Sequence, residues 1–505
     1  MFDDKNTILN SGLEKAKNLE EENNFQEAFS IYDNLLIQYP EDKNTIFARG
    51  LLYKKTGLMK QALLSFNRLL QLGAIEHVAL FNIAETLKMM KEYDKAIIYY
   101  VKAIHRKKDE VALYHSACDL MIRNNHINDA KNLVALGFET LPDNPDLLSI
   151  KGKILAYEKK YTEAEKEYGK AIKSIDKSIA KNYILNDYAK IKEELGEFEE
   201  AINIISKSKK EEKKLLSSKG ISSNFIDEFI TISSKMEVSK DWQGKITSDN
   251  KSPIFVVGFP RSGTTLVEQI LYSHPNLSVS DEANILPNMV FNLSKILKQN
   301  IEYPDGLNYI TKDKILKWRS EYISRMAKII PDFDSNLRIV DKNPMSFVYF
   351  LAIKRFFPEA PIVMIIRDPR DVVISCLFQN FTPNISNIHF YSIEDCTKYY
   401  SDSMNLYLKY RDSLNLNILQ VSYEDLCNDS EKNIRKIITH INEGWHDDIL
   451  QYYNNDHRYI SNPSFDNVTK EINKDAICKW KNYEKHLDKV LPTLEPFIKE
   501  FGYKI

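Results

Sequence analysis

The 505-residue chain has few cysteines and no arrangement of them that makes a framework. Cys118, Cys376, Cys396, Cys427 and Cys478 are odd in number, scattered, and without a CxxC pair. That excludes a disulfide scaffold and a standard zinc site, and it fits a reducing compartment. An excess of one charge is also missing. Lys+Arg is 69 and Asp+Glu is 71, a formal net charge of -2. A whole-protein polyanion binder is thereby excluded, and no nucleic-acid partner is expected, although a local basic pocket fits inside a neutral total. No run approaches the roughly 18 apolar residues of a membrane span. The first residues, MFDDKNTILN, are acidic where a signal peptide is basic. The expected location is therefore cytoplasmic. What is present is a globular composition, 43% hydrophobic and 28% charged, in a chain long enough for two or three domains.

Periodicity organises the N-terminal half. Ala28, Ala62, Ala96, Ala130 and Ala164 recur every 34 residues, and Ala201 follows after 37. Four residues after each stands a larger side chain: Tyr32, Phe66, Tyr100, Val134, Tyr168 and Ile205. Twelve residues before each stands a small one: Ala16, Gly50, Ala84, Cys118, Gly152 and Ala189. Pro40 and Pro142 lie where the second helix of a pair should end. Small residues let paired helices approach, and the aromatic four positions on shares the helical face and fills the gap to the next helix. A 34-residue period of this kind resembles the tetratricopeptide repeat (TPR). The resemblance covers about residues 5–212 and implies an α-solenoid whose concave face takes a protein partner or substrate segment. The expected division is a repeat domain at 1–215, a helical junction and linker at 216–250, and a second domain at 251–505. Within the junction, KSKKEEKK reads as a solvated charged face, SSNFIDEFITISSKM as one more amphipathic helix and TSDNKSP as a linker.

The second domain opens with IFVVGF, a buried strand bounded by Pro253 and Pro260, followed by RSGTTLVEQILYSH at helical spacing. Strand, Gly-rich turn and helix aim backbone N–H groups and the positive helix end at an anion. Gly258 and Gly263 imitate a Walker A loop, but Thr264 stands where its lysine belongs. Phosphate binding is expected, and ATP hydrolysis is not. Two further strand–turn–helix units follow, around RIVDK with Lys342 and around PIVMII with Arg367. Such alternation makes a doubly wound parallel sheet with ligands at the strand C-ends. Arg261, Lys342 and Arg367 all fall at such ends, which calls for a multiply anionic ligand.

PRSGTTLVEQIL followed by IIRDPRDVVIS resembles the sulfotransferases that use 3′-phosphoadenosine-5′-phosphosulfate (PAPS), and more closely their tyrosylprotein-sulfotransferase-like branch. The likeness spans roughly residues 251–490. It implies a P-loop-like α/β sulfotransferase domain after the TPR solenoid. Arg261, Ser262, Gly263, Thr264 and Thr265 would cradle the 5′-phosphosulfate, while Arg367 and Ser375 would hold the 3′-phosphate. Tyr423 would lie by the nucleotide, Ser464 and Lys479 near the phosphates, and Trp480 would pack beneath them. The expected product is adenosine 3′,5′-bisphosphate, and no metal is expected. Transfer of SO₃ to a hydroxyl needs a base, and either Asp281 or Glu282, at the end of a short strand Ser278–Ser280, could serve. The resemblance selects Glu282. With Arg261 and Lys342 stabilising developing charge, these three form the expected catalytic set. Asn284 and Asn288 stand where the tyrosylprotein enzymes carry arginines that read acidic residues, so the acceptor could be a peptide, a glycan or a small hydroxyl compound. Two other readings share the same residues: a TPR scaffold with a non-catalytic nucleotide-binding domain, and a degenerate P-loop kinase.

Overall fold

A computed structural model describes residues 2–22, 24–174, 180–218, 220, 224–238, 242, 252–330, 333–381, 387–454 and 472–505. The chain divides into two compact units, Met1–Ile191 and Lys192–Ile505.

The first unit is entirely helical among its described residues, with consecutive helices such as Lys43–Lys55, Met59–Gln71, Glu76–Met89 and Tyr93–Arg106 packed in succession. Helices end at Gln38 and Thr140, just before Pro40 and Pro142. Starts are marked by side-chain caps: Asp42 accepts from the Thr45 N–H at 2.8 Å, and Asn144 accepts from Asp146 and Leu147. All five periodic alanines of this unit are fully buried, as are Phe66 and Tyr100. The reason for the small partners is direct. A Cβ added at Gly50 would lie 2.8 Å from the Phe66 ring, and one at Gly152 would lie 2.7 Å from the Tyr168 ring. Side chains one repeat apart are also linked, as in the ion pair of Lys153 with Asp119.

The second unit begins earlier than the expected boundary near 215. Helix Phe198–Ser218, which carries Ala201 and Ile205, belongs to it. The charged run KSKKEEKK is part of this helix: Lys207, Lys210, Glu211 and Lys214 are exposed, as a solvated face should be, and the opposite face is docked. Ser208 and Lys209 are buried, Lys209 donates to the Gln379 carbonyl at 3.1 Å and sits 4.9 Å from the Tyr391 ring, and Lys213 pairs with Asp395. Leu216 completes the contact by packing with Ile388 and Tyr391. The expected further helix is present as Asn224–Lys235. The expected linker Thr247–Pro253 lies largely outside the described residues.

The sheet of this unit has five strands: β1 (Ile254–Gly258), β2 (Leu277–Asp281), β3 (Arg338–Lys342), β4 (Pro361–Ile366) and β5 (Asn417–Ser422). Their order is β2-β3-β1-β4-β5 and every pairing is parallel. β1 and β4 are buried along their whole length, as apolar runs covered on both faces should be. β5 is half exposed at the sheet edge. The core joins Val256, Val267, Ile270, Val340, Val363 and Val421 to the helices around them. No described helix is long and apolar enough to cross a membrane.

Candidate active site

Chain order reverses beside β1: β3 lies on one side and β4 on the other. Ligands of such sheets bind at this switch, outside the carboxyl ends of the strands. The loop from β1 to helix Thr264–Tyr272 occupies that position. Its backbone is unusual twice. Arg261 has φ +71° and Gly263 has φ +102°, both left-handed, and they turn the chain so that the helix start faces the strand ends. Ser262, Thr264 and Thr265 are buried there. Tyr423, the first residue after β5, lies over the loop: a Cβ at Gly263 would meet its ring at 2.5 Å. Only glycine satisfies both the dihedral and this approach.

Two arginines stand beside the loop, Arg367 buried and Arg261 partly buried. Arg261 Nε donates to Ser375 Oγ at 3.1 Å, so the first loop and helix Pro369–Leu377 are joined through two expected ligand residues. Burial pushes the Arg261 guanidinium below its ordinary value, more strongly than any neighbouring charge shifts it. Arg367, just past β4, donates from Nη1 to the Arg261 carbonyl at 2.9 Å and from Nη2 to the Ala476 carbonyl at 2.5 Å. Its guanidinium sits 5.1 Å from the Tyr423 ring, and its Nε is buried without a hydrogen-bond partner among the described residues. A buried donor left over in this way is what an anion would satisfy.

Asp371 ties the late segment to the same helix. Its carboxylate accepts the N–H groups of Cys478 and Trp480, both at 2.8 Å, and desolvation pushes its pKa up to about 6 against the opposing pull of Arg367. Arg370, paired with Asp368 at 2.8 Å, stands 3.7 Å from the Trp480 ring, so Trp480 is a packing residue. Lys479 turns elsewhere, to Glu193 at 3.4 Å. Ser464 lies outside the described residues.

The third cation, Lys342, closes β3 and is 0% exposed. Its Nζ lies 2.7 Å from Glu268, 2.9 Å from Glu282 and 3.4 Å from Asp281. Burial alone would lower its pKa; the charges of Glu268, then Glu282 and Asp281, outweigh that and hold it above the ordinary lysine value. The three carboxylates differ in access. Glu268 is 1% exposed, Asp281 16% and Glu282 45%, so only Glu282 combines contact with Lys342 and a face open to a second reactant. Glu282 has φ +46°, and its N–H donates to the Lys342 carbonyl at 3.0 Å, which fixes where β2 ends.

Arg261, Ser262, Gly263, Thr264, Thr265, Ser375, Arg367 and Tyr423 thus gather around the β1 loop, while Lys342 and Glu282 are paired at the ends of β3 and β2. Glu268 and Asp371 were not singled out from sequence. Glu268 sits inside an apolar helical pattern, where a glutamate needs a buried counter-charge, and that was the available signal. His274 has a structural role: its Nε2 hydrogen-bonds the Gly444 carbonyl at 2.8 Å and its Nδ1 accepts from the Asn276 N–H. Tyr399, Tyr400, Tyr407 and Tyr410 are core residues.

Residues 253–447 match the sulfotransferase family, and residues 77–110 match the tetratricopeptide repeat. Over 256 residues the chain is 30% identical to an uncharacterized protein of Aquifex aeolicus (strain VF5), covering 50% of this chain and 33% of that one. Over 258 residues it is 26% identical to protein-tyrosine sulfotransferase A of Caenorhabditis elegans, covering 50% of this chain and 67% of that one. The chain therefore spans only a third of the length of the Aquifex relative. Among solved structures, the sulfotransferase domain from the Synechococcus PCC 7002 olefin synthase is 19% identical with a TM-score of 0.35, over 52% of this chain and 99% of that chain.

Proposed function

We propose that this chain, whose second unit belongs to the sulfotransferase family, moves the sulfuryl group of PAPS to a hydroxyl acceptor, with its TPR repeats recruiting the substrate or a protein partner. The observation that carries the reading is the pair at the ends of β2 and β3: a carboxylate open to solvent, Glu282, 2.9 Å from a fully buried ammonium, Lys342, on the sheet that also ends in the anion loop.

In this reading the acceptor oxygen attacks sulfur while the bond from sulfur to the 5′-phosphate oxygen breaks. The acceptor proton passes to Glu282. Negative charge grows on the departing phosphate, where Lys342, Arg261 and the loop N–H groups face it. For Glu282 to take a proton, its contact with Lys342 must loosen, and Lys342 can exchange it for the oxyanion because Glu268 still neutralises the ammonium. Arg367 and Ser375 would hold the 3′-phosphate, the former with its spare Nε. Gly263 and the buried hydroxyls of Ser262, Thr264 and Thr265 suit a phosphosulfate laid against the helix start. A kinase reading lacks its lysine, because the position is Thr264.

Ligand choice tests this. Adenosine 3′,5′-bisphosphate should raise the melting temperature well above the effect of ATP with Mg²⁺. Arg367→Ala should remove most of that preference, weakening binding by about 1.5–3 kcal/mol, the worth of a charged hydrogen bond. Equal stabilisation by the two nucleotides would overturn the assignment of Arg367 and Ser375 to a 3′-phosphate.

A further inference from the structure

Just beyond Glu282 the chain enters helix Ile285–Phe291, which runs on through Asn292 into helix Leu293–Leu297. The two helices meet at a break, where Asn292 has non-helical dihedrals (φ -103°, ψ 22°), and the bonds at Asn288, Asn292 and Ile296 bracket it. Asn288, Asn292 and Ile296 donate to the carbonyls of Asn284, Asn288 and Asn292 at 3.1, 3.1 and 3.0 Å. One face of the first helix therefore carries Asn288 between its flanking residues Asn284 and Asn292, and beyond the break Lys295 lines the same cavity as Asn292. All four are exposed. At 1.5 Å per residue, Asn292 at the end of the first helix stands about 12 Å beyond Asn284.

The ridge ends at a cavity of about 500 Å³, whose other wall is helix Lys312–Ile329. Lys295, Lys317 and Arg325 line it against a single carboxylate, Glu321. Arg325 pairs with Glu321 at 2.7 Å. Lys295 and Lys317 have no ion-pair partner among the described residues, so the cavity keeps a surplus of positive charge.

Carboxamides both donate and accept, which matches hydroxyl groups; Asn292 Nδ2 donates to the Asn288 carbonyl at 2.9 Å and Asn284 Oδ1 accepts from Asn343 at 3.5 Å, which leaves the Asn292 oxygen, the Asn284 nitrogen and the Asn288 amide facing outward. Beside Glu282 the ridge holds amides and no cation, so nothing there selects a charged neighbour. Charge is selected only at the far end. A hydroxyl-bearing chain needs only alternating donors and acceptors along its path. Resting on the sulfuryl-transfer reading, we infer that the acceptor is a glycan chain whose hydroxyls run along Asn284, Asn288 and Asn292 and whose anionic group, several sugar units from the sulfated hydroxyl, is held by Lys295 and Lys317.

The test uses the full chain with labelled PAPS and three probes: a polyuronate oligosaccharide, the same oligosaccharide with its carboxylates reduced to alcohols, and a Glu-Tyr copolymer. Binding is followed by calorimetry and transfer by label. The polyuronate should bind and be labelled, with affinity falling as salt rises. Reducing its carboxylates should raise Kd and KM by roughly tenfold or more, the scale of one to two lost charge contacts. Lys295→Ala with Lys317→Ala should erase that difference while leaving the affinity for adenosine 3′,5′-bisphosphate unchanged. Transfer to the polyuronate that ignores both lysines overturns the glycan anchor and keeps the sulfuryl-transfer reading. Preference for the copolymer also overturns it, in favour of a peptide acceptor. Lysine-dependent binding with no transfer to any hydroxyl removes the sulfuryl-transfer reading, and with it the acceptor role of the ridge.

Discussion

Lys342 is held by three carboxylates of unequal exposure, and that inequality is the residue-scale device on which the proposed chemistry depends. Glu268 is its nearest and most buried partner. Replacing it by glutamine keeps the shape and removes the charge. Glu282 and Asp281 remain, so the loss of stability should stay below the roughly 3–5 kcal/mol of a buried pair left bare. The informative readout is pH. In the proposed transfer Lys342 acts while protonated, and the acidic cluster keeps its proton on to higher pH than an ordinary lysine would. Without the largest attractive charge its pKa must fall. Turnover in Glu268→Gln should therefore fail at lower alkaline pH than in the wild type, and Glu268→Asp should restore part of the range. A variant that is slow at every pH with an unmoved alkaline limb would make Glu268 a packing residue only. The sequence signalled that Glu268 needs a buried counter-charge, but not that Lys342 supplies it. Lys342 and Glu282 could be placed at strand ends from the order of apolar runs, but the depth of Glu268 depends on which face of helix Thr264–Tyr272 meets β3.

At the scale of elements, helix contacts explain why the repeat period was legible. The small residue and the aromatic sixteen positions on meet by near contact, so neither can vary freely: Gly50 meets Phe66 and Gly152 meets Tyr168. Gly152→Ala should destabilise the first unit, since Tyr168 is itself fully buried and cannot move aside; the cost should be about 1–3 kcal/mol. Gly169, in the next helix, has nothing within 4 Å of an added Cβ. There the helix preference for alanine acts alone, and Gly169→Ala should stabilise by about 0.5–1 kcal/mol. Thermal unfolding of the two variants should shift in opposite directions. The strands β1, β3 and β4 were legible as short apolar runs next to turn residues, whereas β5, with its half-exposed Asn417–Ser422, carries no such run. Charge was a guide to only one face of helix Phe198–Ser218. A lysine-rich run reads as solvated, yet Lys209 reaches a backbone carbonyl and an aromatic ring that lie about 170 residues away in sequence, and no local pattern reports such partners. A fragment of residues 192–505 should accordingly fold and bind adenosine 3′,5′-bisphosphate. One starting at 246 should be markedly less stable, because the Gln379 carbonyl and Asp395 lose their lysines. Equal melting temperatures for the two fragments would show that the docked helix contributes little.

Taken as a whole, the molecule joins a helical repeat array to a parallel sheet whose five strand ends each deliver something to one region: the anion loop after β1, Glu282 after β2, Lys342 ending β3, Arg367 after β4 and Tyr423 after β5. The family resemblance names most of these residues one by one, and the sheet order is the physical reason they lie at the same ends of the strands. The acceptor has no comparable signature, since its recognition rests on side chains whose neighbours come from a separate helix. The central claim is that Glu282 takes the acceptor proton during sulfuryl transfer. It is tested most directly by single-turnover transfer of labelled sulfate from saturating PAPS, comparing the wild type, Glu282→Gln and Asp281→Asn on one acceptor. Glu282→Gln should lower the rate by roughly 10²–10⁴ with donor affinity nearly unchanged, and Asp281→Asn should do far less. Near-wild-type transfer by Glu282→Gln, or a dead Asp281→Asn beside an active Glu282→Gln, would contradict it.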